Sequence, residues 1–213
     1  MTTQAERDGL STRSPGLLRA CGIIGLFGCA ALAVGNAVGS MIVPDHDWIA
    51  DTVSDLAAGK HEIVQDLGLH AYAAALLACA IGAAHHHLGG AKWSLGILSL
   101  AILALCVEII GVRNEYGDGD SEGIVVHREV VYGLGIFFTA APLLMAEGMG
   151  RVSGVYRTIS IACAILWAIG APIFFFLPTA IDGIWERGLG VITIVWVASL
   201  SWLLIRAAGR LDR

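Results

Sequence analysis

Charged side chains are scarce in this sequence. Asp, Glu, Lys and Arg together make up 15% of its 213 residues, whereas 56% of the residues are hydrophobic. Soluble domains contain about 25% charged residues. The deficit argues against a soluble globular protein, because a hydrophobic surplus of this size needs lipid as its solvent. The basic stripes of nucleic-acid-binding proteins are also missing, which argues against a nucleic-acid partner.

The five cysteines follow neither a metal-binding nor a disulfide pattern. Each lies inside an apolar segment, and none is at metal-ligand spacing from another. They are Cys21, Cys29, Cys79, Cys106 and Cys163. Isolated cysteines in apolar segments typically act as small packing residues. We therefore expect five free cysteines and no secreted disulfide framework.

Six apolar segments are each long enough to cross a bilayer. A helix needs about 20 residues for this, and its backbone groups are satisfied within the segment. The predicted spans are 17–43, 63–84, 93–112, 130–149, 157–177 and 188–207. We expect an all-α integral membrane protein: a six-helix transmembrane bundle over residues 17–207, a short tail at 1–16 and another at 208–213. The 27 glycines fit close helix packing in a membrane.

The positions of Lys and Arg predict the orientation. Nine of the thirteen lie in the two tails, at the adjoining span ends, or in the loops after the second and fourth spans. The positive-inside rule places that side in the cytoplasm. Most of the carboxylates lie on the opposite, outer side. We expect a multi-pass protein of the cell's inner membrane with its N-terminus and C-terminus in the cytoplasm.

The first outer loop, residues 44–62, is polar and lies between two apolar spans. Its apolar residues recur at helical spacing, whereas Asp51 and Asp55 lie near the opposite face. The pattern predicts a short amphipathic helix at the outer interface, with Trp48 as its aromatic anchor. The acids form either a solvated face or a cation-binding rim, although calcium-loop spacing is missing.

Ionisable residues inside a span are costly and mark candidate sites. Asp66 and His70 lie one helical turn apart in the second span and share a face. The carboxylate is therefore able to orient the imidazole. Glu108 near the end of the third span and His127 at the start of the fourth lie at a similar depth. If these helices adjoin, the side chains converge.

Other polar residues lie near the outer ends of the first and last spans. Asn36 lies within the first span, where we expect it to hydrogen-bond across helices. Glu186 and Arg187 directly precede the last span. The predicted binding residues of the outer face are Asn36, Asp51, Asp55, Glu108, Glu186 and Arg187.

In layout, residues 17–207 resemble the family of bacterial and archaeal membrane proteins called domain of unknown function 998. The segment 51–59, Asp-Thr-Val-Ser-Asp-Leu-Ala-Ala-Gly, is similar to an acidic motif that follows the first helix of that family. His127 before the fourth helix and Glu186-Arg187 before the sixth also match. The Phe-Pro that usually ends the third helix is Val-Arg here. The resemblance implies a six-helix bundle and brings no known activity.

A more distant likeness is to membrane hydrolases of the alkaline ceramidase and progestin-receptor type. Asp51 and Ser54 are similar to the acid and serine that these enzymes place after an early helix. Their last helix carries paired zinc-binding histidines, whereas residues 188–207 contain no His. This difference argues against a zinc site of that type.

Two of the three functions that fit the sequence are not enzymatic. The first, which we favour because no complete catalytic set is present, is a bundle that binds a lipid, another ligand, or a protein partner such as a second copy. Its site would be acidic and on the outer face, in contact with membrane lipids. The other is a small transporter in which Asn36, His70 and Glu108 line a polar path.

The remaining alternative is a metal-assisted membrane hydrolase. Its cofactor would be zinc or another divalent cation held by Asp66, His70 and His127, since His and carboxylate sites with an open position activate water. The candidate catalytic residues are Ser54, Asp66, His70 and His127. This function requires that the side chains of His70, His127 and an acid approach a common point.

Overall fold

The computed structural model describes residues 14–57, 61–112 and 126–212, although the side chains of residues 126–128 lie outside the description. Within these ranges all regular secondary structure is helical. The helices are α1 (Pro15–Ile42), α2 (Val53–Leu56), α3 (Ile63–His86), α4 (Ala91–Val112), α5 (Val126–Val152), α6 (Gly154–Phe174) and α7 (Asp182–Leu211). All except α2 are long and apolar enough to cross a membrane. This confirms the predicted all-α fold. The first loop contains a short helix, as predicted, but it is one turn long and begins only after Ile49 and Asp51.

Helices α1 and α7 both begin earlier than hydropathy predicts, because their first turns are set by capping and packing. Ser14 caps α1: its Oγ accepts from the backbone N–H of Leu17 at 3.3 Å, and Pro15 occupies the first helical position. Helix α7 begins at Asp182, six residues before the predicted span, and extends to Leu211. The six additional residues of α7 include the charged residues Glu186 and Arg187.

The six long helices form a closed ring. Each packs against the next in sequence, and α7 packs against α1. We call the end of the ring that carries Ser14 and Leu211 the terminal end, and the end that carries residues 43–57 the loop end. The prediction that the terminal end faces the cytoplasm rests on the distribution of Lys and Arg.

Small residues bring the helices close together. A Cβ atom added at Gly28 of α1 would lie 2.3 Å from the carbonyl oxygen of Ala71 in α3, and one added at Gly25 would lie 2.0 Å from Ser201 Oγ in α7. Close backbone approach through small residues is the usual way in which membrane helices pack. The cysteines are free, as predicted, and four of the five are buried.

The ring is filled by side chains toward the terminal end. Trp93 and Trp196 are 1% exposed there, and Met145 and Met149 are fully buried. Each indole N–H is satisfied: Trp93 Nε1 donates to the carbonyl of Ala83 at 2.9 Å, and Trp196 Nε1 donates to Ser160 Oγ at 3.2 Å. Toward the loop end the helices leave an open space between them.

Candidate functional site

A cavity of about 1010 Å³ lies inside the ring at the loop end. All six long helices contribute to its wall, and most of the lining side chains are apolar. Phe138 and Trp167, whose ring centroids are 4.9 Å apart, lie among them. Ligand cavities commonly measure about 300–1,000 Å³ and are mostly apolar with a few polar groups. The volume and lining of this cavity are therefore those of a binding site.

Arg187 of α7 is the main polar feature of the wall, although it is only 8% exposed. Its Nε donates to Asn36 Oδ1 at 3.2 Å, and its Nη1 donates to the carbonyl oxygen of Asp51 at 2.7 Å. Its Nη2 lies 3.3 Å from Ser40 Oγ and 2.8 Å from His46 Nε2. All four acceptors are neutral groups, and they hold the guanidinium between α1 and the first loop.

The contact between Arg187 and His46 fixes the tautomer of the imidazole. A guanidinium has donors only, so Nε2 of His46 accepts and Nδ1 carries the proton. That Nδ1 lies 3.4 Å from Asp51 Oδ2, and the His46 side chain is 2% exposed. Asp51 therefore reaches the guanidinium with its carbonyl oxygen directly and with its carboxylate through the imidazole.

Trp48 covers the guanidinium. The Arg187 Cζ atom lies 4.5 Å from the centroid of the indole, a cation–π distance. The sequence predicted Trp48 as an aromatic anchor at the membrane interface. The structure shows that its ring lies over Arg187, with 44% of the residue exposed. The difference arises because the loop folds back over α7.

The one-turn helix α2 is held at its N-terminal end by two carboxylates. Thr52 and Asp55 form a capping box: Asp55 Oδ2 accepts from the Thr52 backbone N–H at 2.6 Å, and Thr52 Oγ1 accepts from that of Asp55 at 3.2 Å. Glu186 Oε2 accepts from the backbone N–H of Val53 at 2.7 Å. The carboxylates of Asp55 and Glu186 therefore position the loop beside the cavity.

The loop rests on the first turn of α7 through a backbone contact. The Ile184 N–H donates to the carbonyl of Ile49 at 3.0 Å. A Cβ atom at Gly183 would lie 2.1 Å from the Asp51 carbonyl oxygen. Only glycine allows this approach, and the carbonyl concerned is the one that Arg187 binds.

Asp47 shapes the start of the loop. Its Oδ1 accepts from the backbone N–H groups of Ile49 at 2.8 Å and Ala50 at 3.3 Å. These bonds stabilise the carboxylate and lower the pKa of Asp47 below its ordinary value. The turn they close presents Trp48 to Arg187.

The ionisable residues of α3 and α4 form a separate group outside the cavity lining. His70 Nδ1 lies 3.1 Å from Glu108 Oε2, and both side chains are more than one-third exposed. The sequence predicted that Asp66 would orient His70. In the structure Glu108 takes this place, because α3 packs on α4 and brings the Glu108 carboxylate next to the His70 imidazole. Asp66 Oδ1 has no hydrogen-bond partner among the described residues.

The structure brings together only part of the predicted metal and catalytic set. Ser54 lies on α2 and lines the cavity, whereas Asp66 and His70 do not. In the part of the chain that is described, no group of three or more His, Cys, Asp and Glu side chains is placed to hold a metal ion. The side chain of His127 lies outside that part, so the metal-assisted hydrolase stays a prediction.

The polar path of the predicted transporter is divided between two places. Asn36 lines the cavity and binds Arg187, whereas His70 and Glu108 contact each other outside the lining. Within the residues that the structure describes, these three side chains therefore do not line a common path.

Four residues of the site were not identified from the sequence: Ser40, His46, Trp48 as a ligand of Arg187, and Tyr72. Asn36 and Ser40 are spaced by four residues and share a helix face, which is a signal of a polar seam in the first span. The contact of His46 with Arg187 joins residues 141 positions apart. Such a contact has no local signature.

Comparisons with known proteins agree with this architecture. The family model described as "Protein of unknown function (DUF998)" matches residues 23–203. No curated protein and no solved structure matches the chain, so the likeness to alkaline ceramidases finds no support. The family match covers most of the chain, including the four middle spans completely and most of the first and the last. This multi-pass membrane protein therefore belongs to the DUF998 family.

Proposed function

We propose that the protein binds a membrane lipid in this cavity, with the apolar chain inside the ring and the polar end beside Arg187. One observation carries the proposal: a mostly apolar space of about 1010 Å³ has a buried guanidinium in its wall. This combination suits an amphipathic molecule, since an apolar body and a polar end each meet a matching surface.

Arg187 retains a donor for such a ligand. A guanidinium has five N–H groups. In Arg187, Nε contacts Asn36, Nη1 contacts Asp51, and Nη2 contacts both Ser40 and His46. Among the described residues, one N–H of Nη1 is left without an acceptor. Because Arg187 lines the cavity, an oxygen atom of a lipid head group is the natural acceptor for it.

The charges of the wall favour a head group with no net charge. Glu186 and Arg187 are the two charged residues in the described lining, and their charges cancel. The negative charges of Asp51 and Asp55 also act on Arg187. An anionic head group would meet these carboxylates, whereas a zwitterionic one offers oxygen atoms without net repulsion.

Selectivity for the lipid has to come from these polar contacts. An acyl chain that moves from the bilayer into the cavity exchanges one apolar environment for another, so its transfer contributes little free energy. A hydrogen bond to a charged donor is worth about 1.5–3 kcal/mol. Arg187 therefore decides which lipid is retained, and the apolar wall decides only how much chain fits.

Two glycines of α7 provide a matched test. Gly190 lines the cavity, Gly188 is exposed and does not, and a Cβ atom at either position would meet nothing within 4 Å. Gly190→Leu places a side chain in the cavity, whereas Gly188→Leu places the same side chain outside it. Native mass spectrometry of the purified full-length protein with added phosphatidylethanolamine measures the bound lipid.

We expect Gly190→Leu to weaken lipid binding about tenfold, since the leucine takes up space that the lipid would fill, and overpacking of this kind costs roughly 1–3 kcal/mol. The wild-type protein and Gly188→Leu should retain the lipid equally. Equal retention by all three proteins would show that the lipid is bound elsewhere, and a wild-type protein that binds none would overturn the proposal.

A further inference from the structure

A small pocket lies at the terminal end of the ring, at the opposite end of the bundle from the cavity. Its wall is formed where α3 and α5 end, where α6 begins and along the last turns of α7, and it includes Ser153, Arg206 and Arg210. Its volume is about 120 Å³. This is about four times the volume of a water molecule in the liquid, so the pocket has room for a group of the size of a phosphate.

The two arginines of the pocket have like charges and no carboxylate beside them. Arg206 and Arg210 are four residues apart in α7, a spacing at which like charges repel each other. The ion pairs that the structure describes at the terminal end are made by other residues: Arg19–Asp212, Lys92–Glu147 and Arg151–Glu147. Within the described part of the chain, neither Arg206 nor Arg210 therefore has an ion-pair partner, and an anion in the pocket would relieve their repulsion.

Ser153 adds a neutral hydrogen-bond donor to the pocket. It is the N-cap residue of α6, and its Oγ accepts from the backbone N–H of Val155 at 3.4 Å. A hydroxyl group also carries one hydrogen of its own, for which the described residues supply no acceptor. Ser153 is therefore able to donate to an oxygen atom of an anion that the two arginines attract.

The exposed face of α7 indicates which kind of anion reaches the pocket. Val195 and Trp202 are exposed and lie seven residues apart, and the exposed residues Arg206 and Arg210 follow at intervals of four. Residues at these spacings share one face of a helix. The apolar stripe that faces the lipid therefore ends directly at the two arginines, and tryptophan beside a charged helix end is typical of the level of the lipid head groups.

We propose that this terminal-end pocket binds the phosphate group of an anionic phospholipid, whose acyl chains lie outside the ring along Val195 and Trp202. Arg206 and Arg210 supply the positive charge, and Ser153 supplies a hydrogen bond. The distribution of Lys and Arg predicts that the terminal end faces the cytoplasm, and anionic lipids give the cytoplasmic leaflet its negative surface potential. This site is separate from the cavity at the loop end and does not depend on the lipid proposed there.

Two phospholipids and three single substitutions test the site. Phosphatidylglycerol and phosphatidylethanolamine with equal acyl chains differ only in the head group, and native mass spectrometry measures their affinities for the purified full-length protein. Arg206→Gln and Arg210→Gln each remove one charge from the pocket. Arg157→Gln is the matched control, because Arg157 is exposed in the first turn of α6, has no ion-pair partner among the described residues and does not line the pocket.

We expect the wild-type protein to bind phosphatidylglycerol more tightly than phosphatidylethanolamine at this site. Arg206→Gln and Arg210→Gln should each weaken phosphatidylglycerol binding about fivefold, the contribution of one basic residue at an anionic membrane surface, and Arg157→Gln should weaken it less than about twofold. Gly190→Leu, which fills the cavity, should leave phosphatidylglycerol binding unchanged. An equal loss in all three arginine variants would show a general effect of charge and would overturn the inference, as would a wild-type protein without a preference for phosphatidylglycerol.

Thermal unfolding gives a second measurement that does not require the variants to bind lipid. Both arginines are exposed and repel each other, so Arg206→Gln and Arg210→Gln should fold and should be at least as stable as the wild-type protein without lipid. Added phosphatidylglycerol should raise the Tm of the wild-type protein and of Arg157→Gln more than that of either pocket variant. Inorganic phosphate that raises the Tm as much as phosphatidylglycerol at the same concentration would overturn the assignment to a lipid.

Discussion

Replacing Gly183 with Ala should separate the first loop from α7. The added methyl group would lie 2.1 Å from the carbonyl oxygen of Asp51 and 2.7 Å from its carbonyl carbon. These are backbone atoms, which have no rotamer by which to move away. The loop therefore has to shift as a unit, and the contacts that it makes with α7 near this point have to lengthen.

The magnitude follows from the interactions lost. Overpacking a tight contact costs about 1–3 kcal/mol. The shift also weakens the hydrogen bond between Ile184 and Ile49 and the one from Arg187 to the Asp51 carbonyl, which are worth about 1 and 2 kcal/mol respectively. Because the loop can relax partially, we expect the free energy of unfolding to fall by about 2 kcal/mol.

Gly188→Ala is the control, and its expected effect has the opposite sign. It lies on the same helix, and a Cβ atom there meets nothing within 4 Å. Replacing an exposed helical glycine with alanine typically stabilises a protein by about 0.4–1 kcal/mol. Any general effect of a methyl group on this helix is therefore seen in the control.

Thermal unfolding of the purified protein in a mild detergent measures both variants, and limited proteolysis reports on the loop. We expect Gly183→Ala to lower Tm and to expose residues 43–57 to protease, and Gly188→Ala to do neither. If Gly183→Ala is as stable as Gly188→Ala, with an equally protected loop, then the close approach of the Asp51 carbonyl to α7 is not what holds the loop.

Two further predictions concern single carboxylates. The pKa of Asp47 is lowered in the folded protein, so the stability that this group contributes is present above its ordinary pKa of about 3.9 and is lost as the pH falls through the lower folded value. Trp48 fluorescence should report this acid transition, and Asp47→Asn should remove it; a transition unchanged in the variant would assign it to another group. Glu108→Gln should change the free energy of unfolding by less than about 1 kcal/mol, because its contact with His70 is exposed on both sides. A loss of several kcal/mol in thermal or denaturant unfolding would show that this pair is desolvated.

The helices could be predicted from the sequence because their cause is local. A segment of about 20 apolar residues has to form a helix in lipid, whatever its neighbours are. The short helix α2 also has a local cause, since Thr52 and Asp55 are three residues apart and cap each other. Positions along the spans predicted that His70 and Glu108 lie at a similar level, and the structure places the two side chains in contact.

The partners of polar residues could not be predicted in the same way. Arg187 was identified as a candidate because it lies on the outer face directly before the last span, where Glu186-Arg187 matches the family pattern. Its four acceptors come from α1 and the first loop, and nothing near Arg187 in the sequence indicates them. The predicted pairing of Asp66 with His70 used a true helical spacing, but the packing of α4 supplied a competing carboxylate.

The sequence by itself therefore determined the class of protein, the six spans and the concentration of polar groups near one end, because hydropathy and helical spacing act over a few residues. Only the tertiary structure decided that Gly183 lets the first loop rest on α7, that this loop surrounds Arg187, and that the ring leaves an open cavity beside Tyr72. These features depend on close contacts between segments far apart in the chain. Such contacts are set by the packing of all six spans together.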